Sequence, residues 1–241
     1  MSELTVAQCS YEAAKYAVMH WHYSRSMPAA KIVRFGVWEN SQFVGTVLFG
    51  RGANPVLSKP YGLDQTEVCE LVRVALNKHE HSVSQIVAKS LKLLKDCNPR
   101  LRLVVSYADL EQGHRGGIYQ AGNWLYSGLT RAADEYIVNG RRYHGRALRI
   151  TRETHRGQAV LADNVLGWAR KVLDSEAYAI AGSQKHRYLY PLDRAMRRQI
   201  EPLRLPYPPA VEGSTVSRDA SGVEGQVRPL PTARKESCND G

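Results

Sequence analysis

The first half of the chain alternates short apolar runs with stretches in which apolar residues recur at helical spacing. Residues 4–9 predict a strand, and residues 10–22 predict a helix. Two β-branched runs within 31–50, broken at 39–41, predict a tight antiparallel hairpin. Residues 68–76 are apolar on both faces of a strand, which is typical of a central strand that is covered on both sides.

The same alternation continues through the rest of residues 1–206. The remaining predicted elements are, in chain order, a helix at 83–97, a strand at 101–109, a short helix at 114–121, a strand at 123–129, a hairpin at 134–150, a helix at 161–176 and a strand at 185–192. Asn139-Gly140 at the centre of the later hairpin favours a type I′ turn. We therefore expect residues 1–206 to form one α/β domain built on a mixed β-sheet.

Residues 207–241 break this pattern. They are rich in Pro, Gly and Ser and show no apolar periodicity, so burial would not offset the entropy lost on ordering them. We expect this segment to be a disordered tail.

The net charge of +10 belongs to the folded part of the chain. Residues 1–206 carry +11, and residues 131–206 carry +7 of it, interleaved with aromatic residues. Cations that neutralise phosphates, beside planar side chains that stack on bases, favour a nucleic-acid-binding surface over an ordinary solvated one. The predicted DNA-binding residues are Arg141, Arg142, Tyr143, Arg146, Lys185, Arg187, Arg197 and Arg198.

The composition also bears on location and on cysteine chemistry. No apolar run approaches the ~18 residues of a membrane span, and the N-terminus lacks the basic start and apolar run of a signal peptide. We therefore expect a cytosolic protein that does not bind membranes. The four cysteines are scattered without a C-x-x-C pair, which favours buried free thiols over disulfides or a cysteine zinc site.

Alternation along the central strands assigns each polar residue to a face of the sheet. Glu70 and Arg73 are predicted to point to opposite faces, and Tyr107 and Asp109 to share one face while Ser106 takes the other. Charged residues are rarely buried alone, so two interpretations are open. In the first, Glu70 pairs with a basic side chain and Arg73 caps the C-terminus of a helix. In the second, both residues belong to a functional site. Open α/β sheets bind ligands at the carboxyl ends of their central strands.

The glycine-rich segment 106–124 does not fit a nucleotide-binding loop. It lacks the G-x-G-x-x-G order, and the chain contains no G-x-x-x-x-G-K-[ST] sequence. Its end, IYQAGNWLYSG, resembles the Y-x-x-x-G-F signature of the GNAT acyltransferases, with Trp124 in the place of the aromatic residue. The resemblance implies that Tyr119 protonates a departing thiolate, and that the chain forms a GNAT-like mixed sheet flanked by helices, with a basic C-terminal extension.

One turn departs from the GNAT pattern. In that family the turn after the central strand holds the pyrophosphate of acetyl-CoA through an R/Q-x-x-G-x-G/A sequence at a helix N-terminus. Here the turn reads NKHEHSVS and contains no glycine, so the usual mode of coenzyme A binding is not supported. The residues predicted to contact a cofactor or donor are Ser82, Ser84, His114 and Arg115.

Five blocks between residues 10 and 195 resemble a narrower family, the Mom proteins that modify adenine in phage DNA. They are HWHYSRSMP, GRGANPVLSKPYGLDQTEVCELVRVAL, SYADLEQGHRGGIYQAGNWLYSG, NGRRYHGRAL and KHRYLYPL. The resemblance implies an enzyme that converts adenine in double-stranded DNA to N6-carbamoylmethyladenine and so protects the DNA from host restriction enzymes. It further implies action in the cytoplasm of an infected or lysogenic bacterium, iron as a candidate cofactor, and acetyl-CoA or another two-carbon donor.

Such a reaction needs a flipped base held by planar side chains, because pairing and stacking bury the amino group of adenine. The candidates for this clamp are Tyr23, Tyr107, Trp124 and Tyr143. The N6 amine is a weak nucleophile that a nearby carboxylate would assist, with Asp109 as the first candidate and Glu70 as the second. The predicted catalytic residues are Asp109, Tyr107, Ser106, Glu70, Arg73, Tyr119, His22 and Tyr23.

A His/carboxylate set would suit iron, and the predicted ligands are His22, Tyr23, Glu70 and Asp109. A hydrogen-bonded histidine at a helix C-terminus is the alternative interpretation of His22. Two other classes of protein also fit the sequence: a non-catalytic basic DNA-binding protein on a degenerate acyltransferase fold, and an N-acetyltransferase that acts on a small amine.

Overall fold

The computed structural model describes residues 2–29, 31–51, 56–155 and 164–209. The strands formed by these residues are β1 (Leu4–Gln8), β2 (Ile32–Glu39), β3 (Gln42–Gly50), β4 (Val68–Leu76), β5 (Leu103–Asp109), β6 (Leu125–Leu129), β7 (Asp134–Val138), β8 (Arg141–His144), β9 (Tyr178–Ala181) and β10 (Lys185–Pro191). The α-helices are α1 (Tyr11–Trp21), α2 (Val83–Cys97), α3 (Gly117–Ala121), α4 (Gly145–Thr154), α5 (Val165–Val172) and α6 (Arg194–Ile200). Up to β6 the elements follow the predicted order.

Seven strands form the main sheet in the order β1-β2-β3-β4-β5-β10-β6. Every neighbouring pair is antiparallel except β4 and β5, which are parallel. On one face α2 buries Ile86 and Leu94 in the largest core cluster. On the other face α1 buries Val18 and α6 buries Met196. The mixed sheet with flanking helices and the doubly covered central strand β4 are therefore confirmed.

The strands β8, β7 and β9 form a separate sheet that the sequence analysis did not anticipate. Helices α4 and α5 pack on it around a small core that includes Val138, Leu148 and Trp168. The strand β9 has only four residues, most of them exposed, so it carries no alternation long enough to identify.

The hairpin predicted at 134–150 is shorter in the structure. Its type I′ turn is confirmed, because Asn139 and Gly140 both have positive φ (48° and 69°). The second strand ends at His144, whose Nδ1 accepts the backbone N–H of Arg146 (3.1 Å) and caps α4. Residues 145–154 are therefore helical.

Two predicted helices are also shorter than expected. The one predicted at 161–176 is α5, Val165–Val172, and residues 161–163 lie outside the described part of the chain. The one predicted at 114–121 is α3, Gly117–Ala121. Gly116 precedes α3 with φ +79°, and a Cβ there would lie 2.3 Å from the Tyr188 ring. A glycine is needed at this position both for the backbone angle and for the close contact.

The last described residues of the chain are hydrogen-bonded to the domain near β6 and α3. The Tyr207 hydroxyl donates a hydrogen bond to the Trp124 carbonyl (2.6 Å), and Arg115 donates one to the Pro209 carbonyl (2.8 Å). The rest of the predicted tail, 210–241, lies outside the described residues.

The cysteines differ in exposure. Cys69 is buried and Cys9 half-buried, but Cys97 at the end of α2 is exposed, so the expectation of a buried thiol is wrong there. Cys238 lies outside the described residues. Among the described helices, none has the length and apolar character needed to cross a membrane.

Candidate active site

The parallel strands β4 and β5 separate in the middle of the main sheet. They are paired only over Val68–Glu70 and Leu103–Val105. Just beyond this region, the Ser106 hydroxyl bonds to the Leu71 carbonyl oxygen (3.0 Å). The carboxyl ends of the two strands therefore leave a wedge, at the edge where open α/β sheets bind ligands.

A cavity of about 650 Å³ fills this wedge, a volume typical of small-molecule sites. Seven of the eight predicted catalytic residues line it: His22, Tyr23, Glu70, Arg73, Tyr107, Asp109 and Tyr119. The predicted donor contacts His114 and Arg115 and the predicted DNA contact Lys185 also line it. Apolar residues of β4, α2 and α3 complete the wall: Leu71, Val74, Leu76, Val83 and Ile118.

A β-bulge in β4 changes the direction of Arg73. On β3, Leu48 lies opposite Arg73 and the next residue, Phe49, lies opposite Leu71. Val72 is therefore an extra residue in β4. Leu48 packs under α1, and cross-strand partners share a face, so Arg73 lies on that face. Glu70 lies there too, because its β5 partner Val105 packs under α6. The prediction that Glu70 and Arg73 point to opposite faces is wrong, because the bulge adds one residue between them.

The loop after α1 forms one wall of the cavity. Arg73 holds it through a hydrogen bond from Nε to the Ser26 carbonyl (3.4 Å). His22 follows the last residue of α1, and its Nδ1 accepts the backbone N–H of Ser24 (3.1 Å). Burial and the charges of Arg73 and His114 lower the pKa of His22 to about 4. The ring is therefore neutral at neutral pH, with its proton on Nε2.

This geometry confirms the alternative interpretation of His22 as a hydrogen-bonded histidine at a helix end, although the ring also lines the cavity. Tyr23 is 45% exposed and contacts two imidazoles, with ring centroids 4.3 Å from His22 and 5.8 Å from His114. Two of the candidates for the base clamp do not line the cavity. Trp124 is 1% exposed in the main core, and Tyr143 packs against the core of the small sheet.

Asp109 is held by neighbours within the protein. Its carboxylate lies 2.7 Å from Lys185 Nζ and 2.9 Å from the Ser183 hydroxyl, and it also accepts the backbone N–H of Glu111 (3.0 Å). Burial alone would raise the pKa of Asp109, but the bonds from Lys185 and Ser183 and the Lys185 charge lower it overall. A carboxylate with a lowered pKa is a weak base, so the structure disfavours Asp109 for that role.

Glu70 and Tyr107 line the cavity from adjacent strands. Burial and the negative charge of Glu70 raise the pKa of Tyr107 well above its ordinary value, so the phenol stays protonated. Arg187, predicted to bind DNA, instead donates from Nε to the Ser127 hydroxyl (2.8 Å).

Tyr119 and Ser106 form a buried pair behind the cavity wall. Their hydroxyl oxygens lie 2.8 Å apart, and Ser106 is 1% exposed. Burial raises the pKa of Tyr119 to about 12. The predicted opposite faces of Ser106 and Tyr107 are confirmed, because Ser106 bonds to Tyr119 in the α2-side core while Tyr107 packs under α6.

At the start of α2 the predicted donor contacts Ser82 and Ser84 do not line the cavity. Ser82 caps the helix in a reciprocal capping box with Gln85. His79, from the turn before α2, does line the cavity, although it is not among the predicted catalytic residues. The sequence feature that could have identified His79 is its place in the turn between a central strand and the N-terminus of a helix.

The predicted iron ligands do not form a metal site in the described part of the chain. No group of three or more His, Cys, Asp or Glu side chains there could hold a metal ion. The carboxylate of Asp109 is bound to Lys185, and Nδ1 of His22 is bound to Ser24.

Seven of the eight predicted DNA-binding residues, all except Tyr143, fall into two groups. Arg142 bonds to Glu111 and Glu135, and Lys185 and Arg187 are bound as described above. Four others are exposed to solvent, on β8, α4 and α6: Arg141, Arg146, Arg197 and Arg198. Arg149, which was not predicted, is exposed beside Arg146 on α4.

The order of elements and the parallel β4/β5 pair in an otherwise antiparallel sheet define a GNAT-like α/β fold, with a cavity at the carboxyl ends of the parallel strands. The family model of the Mom proteins matches residues 3–209. The chain therefore belongs to the Mom protein family, as its sequence blocks predicted.

Individual proteins were also found to be similar. The methylcarbamoylase mom of Escherichia phage Mu is 29% identical over 146 residues, and the match spans 59% of this chain and 60% of the phage Mu protein. A Bacillus subtilis acetyltransferase in complex with CoA covers 80% of this chain and is itself fully covered, with 8% identity and a TM-score of 0.41. Mutant forms of a Vibrio cholerae spermidine/spermine N-acetyltransferase cover 81% of this chain, with 99% of that chain covered, 10% identity and a TM-score of 0.43.

Proposed function

We propose that this protein is a DNA-modifying transferase that converts adenine in double-stranded DNA to N6-carbamoylmethyladenine. The modification would protect phage DNA from restriction enzymes in the cytoplasm of the infected or lysogenic bacterium. The observation that carries the proposal is the cavity between β4 and β5, which gathers seven of the eight predicted catalytic residues. Membership of the Mom family and the similarity to the methylcarbamoylase of phage Mu support this class of chemistry.

In this proposal Tyr23 holds the flipped adenine. It is the most exposed aromatic residue of the cavity wall, and its ring contacts the ring of His22 and, edge-on, the ring of His114. Stacking of a base on such a ring contributes about 1–3 kcal/mol. Tyr107, with a phenol that stays protonated, can donate a hydrogen bond to the same ligand.

In the reaction, N6 forms a bond to the carbon of the donor, the bond to the leaving group breaks, and N6 loses a proton. We assign the proton to Glu70, because it lines the cavity and because the lowered pKa of Asp109 makes that carboxylate a weak base. Glu70 lies where β4 and β5 separate and lines the cavity. His22, neutral with its proton on Nε2, supplies a hydrogen-bond donor and not a base.

The DNA backbone would contact the exposed cations of α4 and its neighbourhood. Arg146 and Arg149 lie one turn apart on the solvent side of α4, and Arg141 is exposed on the preceding strand. Arg142 in the same region has a structural role. It bonds to Glu111 beside the cavity and to Glu135 on β7, so it ties the small sheet to the rim of the site.

The proposal is tested on plasmid DNA purified from bacteria that express the protein. Restriction enzymes with adenine in their sites should fail to cut it, while enzymes with only G and C in their sites should cut it fully. A non-catalytic DNA-binding protein or a small-amine acetyltransferase would leave no resistance on purified DNA. Equal cutting by both kinds of enzyme would refute the proposed activity.

A further inference from the structure

The turn between β4 and α2, residues 77–82, borders the cavity, and its residue His79 lines the cavity wall beside Leu76 and Val83. By resemblance to GNAT proteins, it is the place where the pyrophosphate of a coenzyme would bind. The inference that follows rests on the proposed function, because it concerns the donor of that reaction.

A carboxylate of the protein already occupies the turn. Glu39, at the end of β2, is 5% exposed, and its oxygens accept the backbone N–H groups of Glu80 (2.6 Å) and His81 (2.8 Å). Nδ1 of His81 lies 2.9 Å from the same carboxylate. Burial would raise the pKa of Glu39, but these hydrogen bonds lower it overall, so the group is an anion at neutral pH.

The next backbone donors are also bound within the protein. The N–H of Ser82 is bonded to the Gln85 side chain (3.1 Å), and the N–H of Gln85 is bonded to the Ser82 hydroxyl (3.3 Å). A phosphate at this helix start would have to displace these partners and approach a buried negative charge. Both steps are unfavourable.

His79 gives this end of the cavity a hydrogen-bond acceptor. It is 5% exposed and lines the cavity next to Leu76 and Val83. Its Nδ1 lies 2.7 Å from the His81 carbonyl oxygen. A carbonyl only accepts, so Nδ1 carries a proton, and in the uncharged form of imidazole Nε2 then carries the lone pair. His22 has the opposite tautomer, so these two imidazoles of the cavity wall differ: His22 donates and His79 accepts.

We propose that Glu39 closes the β4–α2 turn to phosphate, and that the donor substrate instead presents an N–H or O–H group to Nε2 of His79. The donor class is then a small amine, amide or alcohol-bearing molecule at this position. A nucleotide-bearing coenzyme anchored through its pyrophosphate does not fit.

The first test compares coenzyme A with pantetheine, which has the same thiol arm and no phosphates. Titration calorimetry on the full chain should show no gain in affinity from the phosphates. Coenzyme A binding at least about tenfold tighter than pantetheine, the equivalent of 1.4 kcal/mol, would overturn the closed turn. The Glu39→Ala variant, with two backbone N–H groups released, should gain binding of inorganic pyrophosphate. If that variant does not fold, the comparison on the natural chain still decides.

The second test separates the two nitrogens of His79. In His79→Asn the amide can still donate to the His81 carbonyl, but the acceptor at Nε2 is lost. We expect a thermal unfolding midpoint close to that of the natural protein, unchanged DNA affinity, and a fall of about tenfold in modified adenine. His79→Gln, which places an amide oxygen near the Nε2 position, should recover part of the yield. Full activity of His79→Asn would overturn the role of Nε2.

The two proposals can fail separately. If the natural protein makes no modified adenine, the proposed function fails, while the comparison of coenzyme A with pantetheine still tests the turn. If modified adenine forms and coenzyme A binds through its phosphates, the function stands and the donor class is wrong.

Discussion

At the scale of single residues, the structure assigns hydrogen-bond roles to side chains that the sequence could only place near a site. His22 and His79 are both imidazoles of one cavity wall, yet a backbone N–H fixes one tautomer and a backbone carbonyl fixes the other. Asp109 and Glu70 are both carboxylates of that wall, and the bonds from Lys185 and Ser183 lower the pKa of Asp109. The chemistry of each residue therefore depends on a partner that its own sequence position does not reveal.

The pKa of His22 predicts how stability depends on pH. The folded-state pKa of about 4 is below the ordinary value of 6.5, so the unfolded chain takes up a proton first as the pH falls. The free energy of unfolding therefore includes the full stabilisation above about pH 6.5. It falls by on the order of 3 kcal/mol as the pH drops from about 6.5 to 4. Urea unfolding of the natural protein and of His22→Gln across this range measures it. The two proteins should converge in stability as the pH falls; parallel curves would contradict the shift.

Ser106 is predicted to be structural rather than catalytic. Ser106→Ala removes the hydroxyl that bonds to the Tyr119 hydroxyl and the Leu71 carbonyl, which should cost about 1–3 kcal/mol of unfolding free energy. Ser90→Ala is the matched control, because Ser90 is equally buried but bonds only to the Ile86 carbonyl within α2. Modified adenine should still form in Ser106→Ala. A stable variant without activity would return Ser106 to the catalytic set.

The two carboxylates should respond differently to neutralisation. Glu70→Gln removes the proposed base and should lower the yield of modified adenine by about 10²–10⁴-fold. Asp109→Asn keeps an oxygen for the Glu111 and Ser183 donors and should lower it much less. Nucleoside analysis of cellular DNA measures both variants at matched expression. The opposite ranking would restore Asp109 as the base.

At the scale of elements, much of the site followed from the sequence because it depends on local patterns. The helical stripe of α2, the doubly covered β4 and the glycine turn before α3 placed most of the cavity wall correctly. The β-bulge did not follow, because one extra residue at Val72 leaves no mark on an apolar run. The closure of the β4–α2 turn did not follow either, since it depends on Glu39 from a distant strand.

The helix α4 is predicted to carry phosphate contacts. Arg146→Gln with Arg149→Gln should reduce the salt dependence of DNA binding, with the slope of log K against log salt falling by about 1.8 in magnitude. Fluorescence anisotropy with a labelled duplex at several salt concentrations measures the slope. Arg142→Gln is the control, because the guanidinium there already bonds to Glu111 and Glu135 and should leave the slope nearly unchanged. An unchanged slope in the double variant would remove α4 from the interface.

At the scale of the whole molecule, charge and chemistry are arranged on connected parts of the structure. The main sheet opens a cavity between its parallel strands, and the small sheet carries the exposed arginines of α4. Arg142 on β8 joins the small sheet to Glu111 beside the cavity, and the Asp109–Lys185 pair joins β5 to β10 at the cavity wall. Placement of a positively charged surface beside a small-molecule cavity is what an enzyme that modifies a base within duplex DNA requires.

Mass spectrometry of nucleosides from the DNA of bacteria that express the protein tests the central claim most directly. Cells with the natural chain should contain an adenine nucleoside whose added mass matches a carbamoylmethyl group, and cells with Glu70→Gln, expressed as folded protein to the same level, should contain almost none. If the natural, folded protein leaves only unmodified adenine in the DNA, the proposed activity is wrong.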